Sequence, residues 1–149
     1  MYKYKISPNI ITFLFVIFNY LSSFIFLSFS FKYLGILCFM ILSFGIIILI
    51  LATRSLLKNN TTINPMKPYN TSVLVTDGIY KYSRNPMYLG YFFLLISSGL
   101  YFGTWLGLVL PFVYILIVNF IYIKKEENVM RDLFGPDYDL YVQKVGRWI

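Results

Sequence analysis

The sequence predicts an all-α integral membrane protein with four transmembrane helices arranged in two antiparallel hairpins. Of its 149 residues, 58% are apolar or aromatic and only 13% are charged, whereas soluble domains carry about 25% charged residues. The charges are confined to a few clusters, and the stretches between them consist almost entirely of Ile, Leu, Phe, Val and Tyr. Such stretches approach the roughly 20 apolar residues that a helix needs to cross about 30 Å of hydrocarbon.

Uncharged runs define four predicted spans within a single membrane domain. They cover about residues 9–31, 33–53, 87–103 and 105–123, and the third is the shortest. Very short links separate the first span from the second and the third from the fourth, which favours the two hairpins. Lys3 and Lys5 precede the first run as in a signal peptide. That run, however, is much longer than the usual signal-peptide core of about 7–15 residues, so we expect it to be a retained span.

The positions of the basic residues predict the orientation of these spans. With four spans, Lys32 lies alone on one side, and every other Lys and Arg lies on the opposite side. Loops rich in Lys and Arg face the cytoplasm, so we expect both termini and the long segment 54–86 to be cytoplasmic. The net charge of +7 then reflects topology and contact with anionic membrane lipids and does not indicate nucleic-acid binding.

Several functions are excluded by residue types that the sequence lacks. It has no histidine and a single cysteine, Cys38, so an imidazole base, a histidine-ligated metal and an intrachain disulfide are not available. We therefore predict no metal site. All acidic residues fall outside the predicted spans, whereas proton-coupled transporters place carboxylates within the membrane.

Two cytoplasmic segments are expected to be ordered. The connecting segment 54–86 is too apolar for disorder and is expected to fold back over the cytoplasmic helix ends. The tail, 124–149, divides at Gly135-Pro136, because Gly suits the end of one helix and Pro the start of the next. In its second part Tyr138, Tyr141, Val142 and Val145 form one apolar stripe. The stripe predicts a C-terminal amphipathic helix that lies on the bilayer or covers the bundle.

Two polar clusters lie at the expected cytoplasmic interface and match a known pattern. The first reads Gly78-x-Tyr80-x-x-x-Arg84-Asn85-Pro86-x-Tyr88-x-Gly90, and the second reads Glu126-Glu127-x-x-Met130-x-x-x-Phe134-Gly135-x-x-Tyr138-x-x-Tyr141. Together, in this order and spacing, they resemble the signature of a superfamily of membrane methyltransferases that includes isoprenylcysteine carboxyl methyltransferases and phospholipid N-methyltransferases. The resemblance, to bacterial members in particular, covers about residue 54 to the C-terminus.

The resemblance implies S-adenosylmethionine as cofactor, bound at the cytoplasmic ends of the last spans, and a lipophilic substrate that enters from the bilayer. Aromatic faces suit the sulfonium cation, an Arg fork suits a carboxylate or phosphate, and a Glu suits the cofactor ammonium or ribose hydroxyls. The implied catalytic residues are Arg84, Asn85 and Glu127. The implied cofactor-binding residues are Tyr80, Arg84, Asn85, Pro86, Tyr88, Gly90, Glu126 and Glu127.

Purely structural roles are open for several of these side chains. Arg84 alone would suit a positive-inside anchor, and Glu127 alone would suit an i, i+4 pair with Arg131. Tyr138 and Tyr141 are expected to be packing residues. Asn119, inside the fourth span, suits either an inward-facing role or a hydrogen bond between helices.

The substrate and two other functional interpretations also stay open. Many relatives carry His where this chain has Asn85, which cannot titrate, so an amine substrate would need another base or would have to arrive neutral. Lipid amines, isoprenyl thiols or carboxylates, and small hydrophobic thiols all suit a bilayer-side entrance. The alternatives to a methyltransferase are a non-catalytic membrane scaffold and, less favoured, a nicotinamide-dependent membrane reductase.

Overall fold

Helices account for most of the chain. The computed structural model describes residues 6–26, 28–64, 66 and 68–149, and within them the only extended pairing is an isolated bridge between Ser28 and Thr104. In chain order the helices are α1 Pro8–Ser22, α2 Leu34–Lys58, α3 Pro86–Phe102, α4 Trp105–Val118, α5 Lys124–Phe134 and α6 Pro136–Lys144. A π-helical turn, Asn119–Ile123, joins α4 to α5 in one continuous helix. The all-α prediction is confirmed for the described residues.

The first helix ends well before residue 31, where the predicted first span ended. Ser22 and Ser23 donate side-chain hydrogen bonds back to the carbonyls of Asn19 at 2.8 Å and Tyr20 at 2.6 Å. Hydroxyls that bond to the local backbone compete with helix continuation. The chain then turns, and the Phe29 amide donates to the carbonyl of Gly103 at 2.6 Å. The hydropathy pattern predicted a span to residue 31 because it takes no account of such side-chain hydrogen bonds.

The second helix continues past Arg54 to Lys58, so the predicted connecting segment 54–86 begins as helix. The charged side chains of Arg54 and Lys58 do not end the helix. It ends at the two asparagines that follow, Asn59 and Asn60. The Asn59 side chain donates to the carbonyl of Ser55 at 2.9 Å. Asn60 has φ +50°, a left-handed conformation that Asn tolerates better than most residues.

α3 is the central helix and packs against α1, α2 and α4. It runs antiparallel to α2, since the Ser97 hydroxyl donates to the carbonyl of Cys38 at 2.9 Å while Gly90 meets Gly45 farther along. It also forms the predicted hairpin with α4. The reversal occurs at Gly103, which has φ +66°.

The predicted hairpin of the first two helices is corrected by their packing. α1 packs against α3 and α4, and α2 packs against α3. Polar side chains explain this arrangement, because α1 carries hydroxyl and amide groups that find partners on α3 and α4, whereas α2 is almost wholly apolar. The hydrogen bonds are Thr12 to Tyr114 at 3.2 Å, Asn19 to Ser98 at 2.6 Å and Ser22 to Thr104 at 3.1 Å.

These directions bring the start of α1, the end of α2, the start of α3 and the end of α4 to one end of the bundle. α5 and α6 lie beyond that end and meet at a sharp turn. Gly135 has φ +49° and Pro136 is the first residue of α6, so the predicted division of the tail at Gly135-Pro136 is confirmed. Val145, predicted within the amphipathic stripe, lies just past the helix end but is buried with Tyr138 and Tyr141.

Two helices are long and apolar enough to cross a bilayer, Leu34–Lys58 and the continuous helix Trp105–Phe134, while α1 and α3 are shorter apolar helices. The outward side chains of α2 support contact with lipid, since Phe39 is 69% exposed and Met40 is 62% exposed. An apolar surface of this extent is unusual for a soluble monomer. Four spans stay a prediction, and Lys3, Lys5 and Lys67, which entered the orientation argument, lie outside the described residues.

Candidate active site

A cavity of about 170 Å³ lies at the polar end of the bundle, among the starts of α1 and α3, the end of α2, α5, α6 and the segment 62–75. Since a water molecule occupies roughly 10–15 Å³ by this kind of measure, the cavity has room for a ligand of many atoms. It brings together most of the predicted site residues. Those that line it are Tyr80, Arg84, Asn85, Pro86, Tyr88, Glu126 and Glu127.

Gly90 is not brought to the cavity wall. A Cβ at this position would meet the Leu49 side chain at 2.6 Å and the Gly45 carbonyl oxygen at 3.1 Å. Its lack of a side chain therefore permits close packing of α2 on α3. Pro86 occupies the first turn of α3, as expected for its fixed φ, and contributes to the cavity as part of the wall.

Glu127 is held by two arginines. Its Oε1 accepts from Arg84 Nη2 at 2.8 Å and from Arg147 Nε at 2.9 Å, and its Oε2 accepts from Arg147 Nη2 at 2.6 Å. Burial alone raises the pKa of the Glu127 carboxyl, but the hydrogen bonds and charges of Arg147 and Arg84 outweigh burial, so its pKa lies below the ordinary value. The Glu127 carboxylate is therefore ionised at physiological pH and ion-paired with both arginines. Arg131, the i, i+4 partner that the sequence offered, pairs with Asp139 instead.

Arg84 is committed mainly to the C-terminal part of the chain. Its Nη1 donates to the carbonyls of Val142 and Val145, each at 3.2 Å. Its Nε is buried and has no hydrogen-bond partner among the described residues. Arg84 is thus more than a positive-inside anchor, since three of its five guanidinium N–H groups bond to the tail and to Glu127.

Glu126 stands in a different environment from its neighbour. Its Oε1 accepts from the Tyr88 hydroxyl at 2.7 Å, and no ion pair to it is formed within the described part of the chain. Burial and the negative charge of Glu127 raise the pKa of Glu126 to about 7, against the lowering effect of the Tyr88 hydrogen bond. It is the carboxylate of this cavity that can accept a cationic ligand group without displacing an arginine.

Tyrosines from the tail close the cavity. Tyr138 and Tyr141 are buried and line it, and the Tyr141 hydroxyl donates to the carbonyl of Tyr80 at 2.6 Å. Burial and the nearby Glu127 charge raise the pKa of Tyr138 to about 12, so it remains a neutral phenol at physiological pH. The amphipathic tail helix therefore covers the bundle, the second of its two predicted placements.

The connecting segment supplies an apolar part of the wall. Ile63, Val73, Leu74 and Val75 line the cavity beside the helix ends, as expected from the prediction that this segment folds back. Side-chain hydrogen bonds order it, since the Ser72 amide donates to Thr61 Oγ1 at 3.1 Å and the Ser72 hydroxyl to the carbonyl of Asn60 at 3.2 Å.

Arg147, which lies outside both sequence motifs, contacts three elements around the site. Besides Glu127, its Nη1 donates to Asn119 Oδ1 at 3.0 Å, and its carbonyl accepts from Asn85 Nδ2 at 3.0 Å. Asn119 thereby has an inward-facing role. Only the position of Arg147 after the amphipathic stripe could have hinted at it, and that signal does not distinguish it from a surface charge.

The π-helical turn at Asn119–Ile123 was also not predicted. A π turn inserts an extra residue and changes the face on which later residues lie, and such turns are frequent at functional sites. Here it precedes Glu126 and Glu127 by one helical turn and carries Asn119, the partner of Arg147. In the described residues no group of three or more His, Cys, Asp or Glu is placed to hold a metal ion.

Comparisons with known proteins agree with this arrangement. Residues 31–137 match the phospholipid methyltransferase family. The chain is 37% identical over 81 residues to the protein-S-isoprenylcysteine O-methyltransferase of Saccharomyces cerevisiae, covering 54% of this chain and 34% of that protein. It is 36% identical over 74 residues to the Schizosaccharomyces pombe protein of the same name, covering 49% and 31%. An uncharacterized protein of Haemophilus influenzae is 36% identical over 66 residues, 42% of this chain and 100% of that protein.

The fold defines a helical membrane protein with a cavity at the polar end of its bundle. Because the family match extends over more than half of the sequence, the chain belongs to the phospholipid methyltransferase family. This confirms the resemblance that the two motifs predicted and implies a methyl donor. The chain spans about a third of the length of the two yeast relatives.

Proposed function

We propose that this chain is an S-adenosylmethionine-dependent methyltransferase of a bacterial cytoplasmic membrane that methylates a lipophilic acceptor drawn from the bilayer. One observation carries the proposal. In a cavity with aromatic and apolar walls, the carboxylate of Glu126 is bonded to the Tyr88 hydroxyl at 2.7 Å and to no cation among the described residues. This is the environment that a ligand with an ammonium group and an apolar body would fill.

The residues of the cavity fit the polar groups of this donor. Glu126 suits the ammonium group, and the Arg84 guanidinium, which lines the cavity, suits the carboxylate. The aromatic rings of Tyr80 and Tyr88, which line the cavity, suit the sulfonium cation. When bound, the donor supplies an electrophilic methyl group.

The contribution of the protein to methyl transfer is positioning and exclusion of water. The tail tyrosines Tyr138 and Tyr141 line the cavity, together with Ile63, Leu74 and other described residues of the connecting segment. A displacement reaction gains most from holding the two reactants in line, and a closed site also prevents hydrolysis. Asn85, anchored through the carbonyl of Arg147, contributes a fixed amide at the start of α3.

The acceptor is proposed to be lipophilic because much of the wall is apolar. Leu56, Ile63, Val73 and Met87 line it together with the polar groups. Lipid amines, isoprenyl thiols or carboxylates and small hydrophobic thiols remain candidates. In the absence of histidine, an acceptor that is already ionised or neutral is the simplest partner for this site.

We also propose that all four apolar helices, α1 to α4, span the membrane with the cavity at the cytoplasmic side. The alternation of helix direction places the cavity, the segment 59–85 and the tail at one end of the bundle, together with most of the basic residues. That distribution of charge is typical of a cytoplasmic face.

Titration calorimetry of the detergent-solubilised chain with S-adenosylmethionine and S-adenosylhomocysteine tests the donor. We expect micromolar binding that Glu126→Gln weakens by at least about tenfold, as for the loss of one partner of a buried charge pair. Asp132→Asn is the matched control, because it removes a carboxylate from an exposed position on the same helix.

The absence of binding in folded wild-type protein would contradict the proposed donor and favour a membrane scaffold. Binding of a reduced nicotinamide dinucleotide in its place would favour the reductase interpretation. Equal affinity in Glu126→Gln and wild type would overturn the assignment of Glu126 alone.

A further inference from the structure

Arg147 lies outside the residues that match the family, which end at residue 137, yet it bonds to Glu127 and Asn85, two residues that line the cavity. Its guanidinium binds both carboxylate oxygens of Glu127, at 2.9 and 2.6 Å. A bidentate pair of this kind fixes orientation as well as charge. The Glu127 side chain is only 9% exposed, so its geometry depends on the groups that surround it.

The second anchor of Arg147 is the π-helical turn. Its Nη1 donates to Asn119 Oδ1 at 3.0 Å, so one guanidinium bridges Asn119 and Glu127, two points on the continuous helix that follows α4. Because the π turn decides which face of this helix carries Glu126 and Glu127, a bridge across it stabilises the orientation of both carboxylates.

The backbone around Arg147 holds the start of α3. The carbonyl of Gly146 accepts from the Arg84 amide at 3.1 Å, and the carbonyl of Arg147 accepts from Asn85 Nδ2 at 3.0 Å. The C-terminal strap, residues 142–147, therefore fixes Arg84 and Asn85 from one side while Glu127 fixes Arg84 from the other.

The charges support the same conclusion. A buried carboxylate is costly unless paired and hydrogen-bonded. With both arginines present, both oxygens of Glu127 are paired, and Arg84 Nε has no hydrogen-bond partner in the part of the chain that the structure describes. Without Arg147, Glu127 would depend on Arg84 alone, and the site would lose one positive charge together with the bridge to Asn119.

We infer that Arg147 is a positioning residue of the methyl-donor site, acting through Glu127 to orient Arg84 and Asn85. This role presupposes the proposed donor binding. The donor need not touch Arg147, since the arginine acts on residues that line the cavity.

A double-mutant cycle in the full-length, detergent-solubilised chain tests this role, with affinity for S-adenosylhomocysteine measured by titration calorimetry. We expect Arg147→Met to weaken binding by about tenfold or more, the range observed for partners that orient a binding residue. Arg147→Lys, which keeps the charge but not the fork, should recover part of this loss. In the Glu127→Gln background, Arg147→Met should cause little further loss.

Arg131→Met is the matched control, because Arg131 forms an exposed pair with Asp139 on the outside of the same region. Additive losses of affinity from Arg147→Met and Glu127→Gln would overturn the inference. Unchanged affinity in Arg147→Met would do the same, and so would an equal loss of affinity in Arg147→Met and Arg131→Met. If Arg147→Met does not fold, Arg147→Lys alone decides, since unchanged affinity there would contradict a requirement for the bidentate fork. Failure of the wild type to bind would instead refute the proposed donor.

Discussion

Glu126 and Glu127 are adjacent in sequence and differ in their surroundings. Glu127 meets two guanidinium groups, whereas Glu126 meets a phenol and faces the cavity. The same side chain therefore has its pKa lowered at one position and raised to about 7 at the next. Separation of the pKa values of neighbouring carboxyls is common at functional sites.

The raised pKa of Glu126 predicts a pH-dependent stability in the absence of ligand. The folded state binds this proton more tightly than the unfolded chain, so the stabilising contribution is complete below about pH 4.5 and is lost as the pH rises to about 7. Glu126→Gln should remove this dependence and raise the unfolding free energy at pH 8 relative to wild type, by at most about 3 kcal/mol.

Thermal unfolding in detergent at pH 5 and pH 8 measures the effect. Asp132→Asn, on the exposed side of α5, should leave the pH dependence as it is in wild type. A Glu126→Gln variant that is less stable at pH 8 than wild type would contradict the prediction.

At the scale of helices, the cavity depends on close crossings between α3 and its neighbours. Gly99 of α3 meets Gly107 of α4 so closely that a Cβ on Gly99 would lie 2.2 Å from the Gly107 carbonyl oxygen. In a membrane the hydrophobic effect does not drive helices together, and small residues at a crossing let the two backbones pack closely. This crossing holds α3 and α4 close together beside the reversal at Gly103.

Gly99→Ala should therefore destabilise the bundle, because the added methyl group meets backbone atoms that must move. The expected loss is about 1–3 kcal/mol, the usual cost of overpacking. Gly35→Ala is the matched control, since no atom lies within 4 Å of a Cβ placed there. Thermal unfolding of both variants at one pH makes the comparison, and equal stability of the two would refute the prediction.

At the scale of the whole molecule, α1 and α2 both pack on the central helix α3. The polar side chains of α1 bond to α3 and to α4 with its N-cap, whereas α2 packs through apolar side chains. The alternating directions then bring the cavity and the tail to one end. This end carries the motif residues of both clusters, which are separated by about forty residues of sequence between Arg84 and Glu126. The opposite end contains the link 23–33 and the reversal at Gly103.

Single engineered cysteines test this arrangement in the membrane. In a Cys38→Ala background, Asn70→Cys and Lys32→Cys should be labelled by an impermeant maleimide from opposite sides of sealed vesicles, with Asn70→Cys on the cytoplasmic side. The unmodified chain, whose single cysteine Cys38 is buried, should remain unlabelled and serves as the control. Labelling of both engineered cysteines from one side would contradict four spans.

The site was predicted from sequence to the extent that its residues share short motifs. Tyr80, Arg84, Asn85, Pro86 and Tyr88 lie within nine residues around the start of one helix, so local structure alone keeps them together. The division of roles between the two glutamates was not predictable in this way. It depends on Arg147, which reaches Glu127 only after the chain has turned twice, at Gly135 and again after α6.

By itself, the sequence determined the helical class, the membrane character, the break at Gly135-Pro136 and the family. These follow from composition, local backbone preferences and motif spacing, which act over a few residues. Tertiary structure alone decided the packing of α1 on α3 and α4, the π turn and the pairing of Glu127 with Arg147. The reason is physical, because each of these depends on which polar groups meet after folding, and a buried polar group takes the partner that the packing brings within reach.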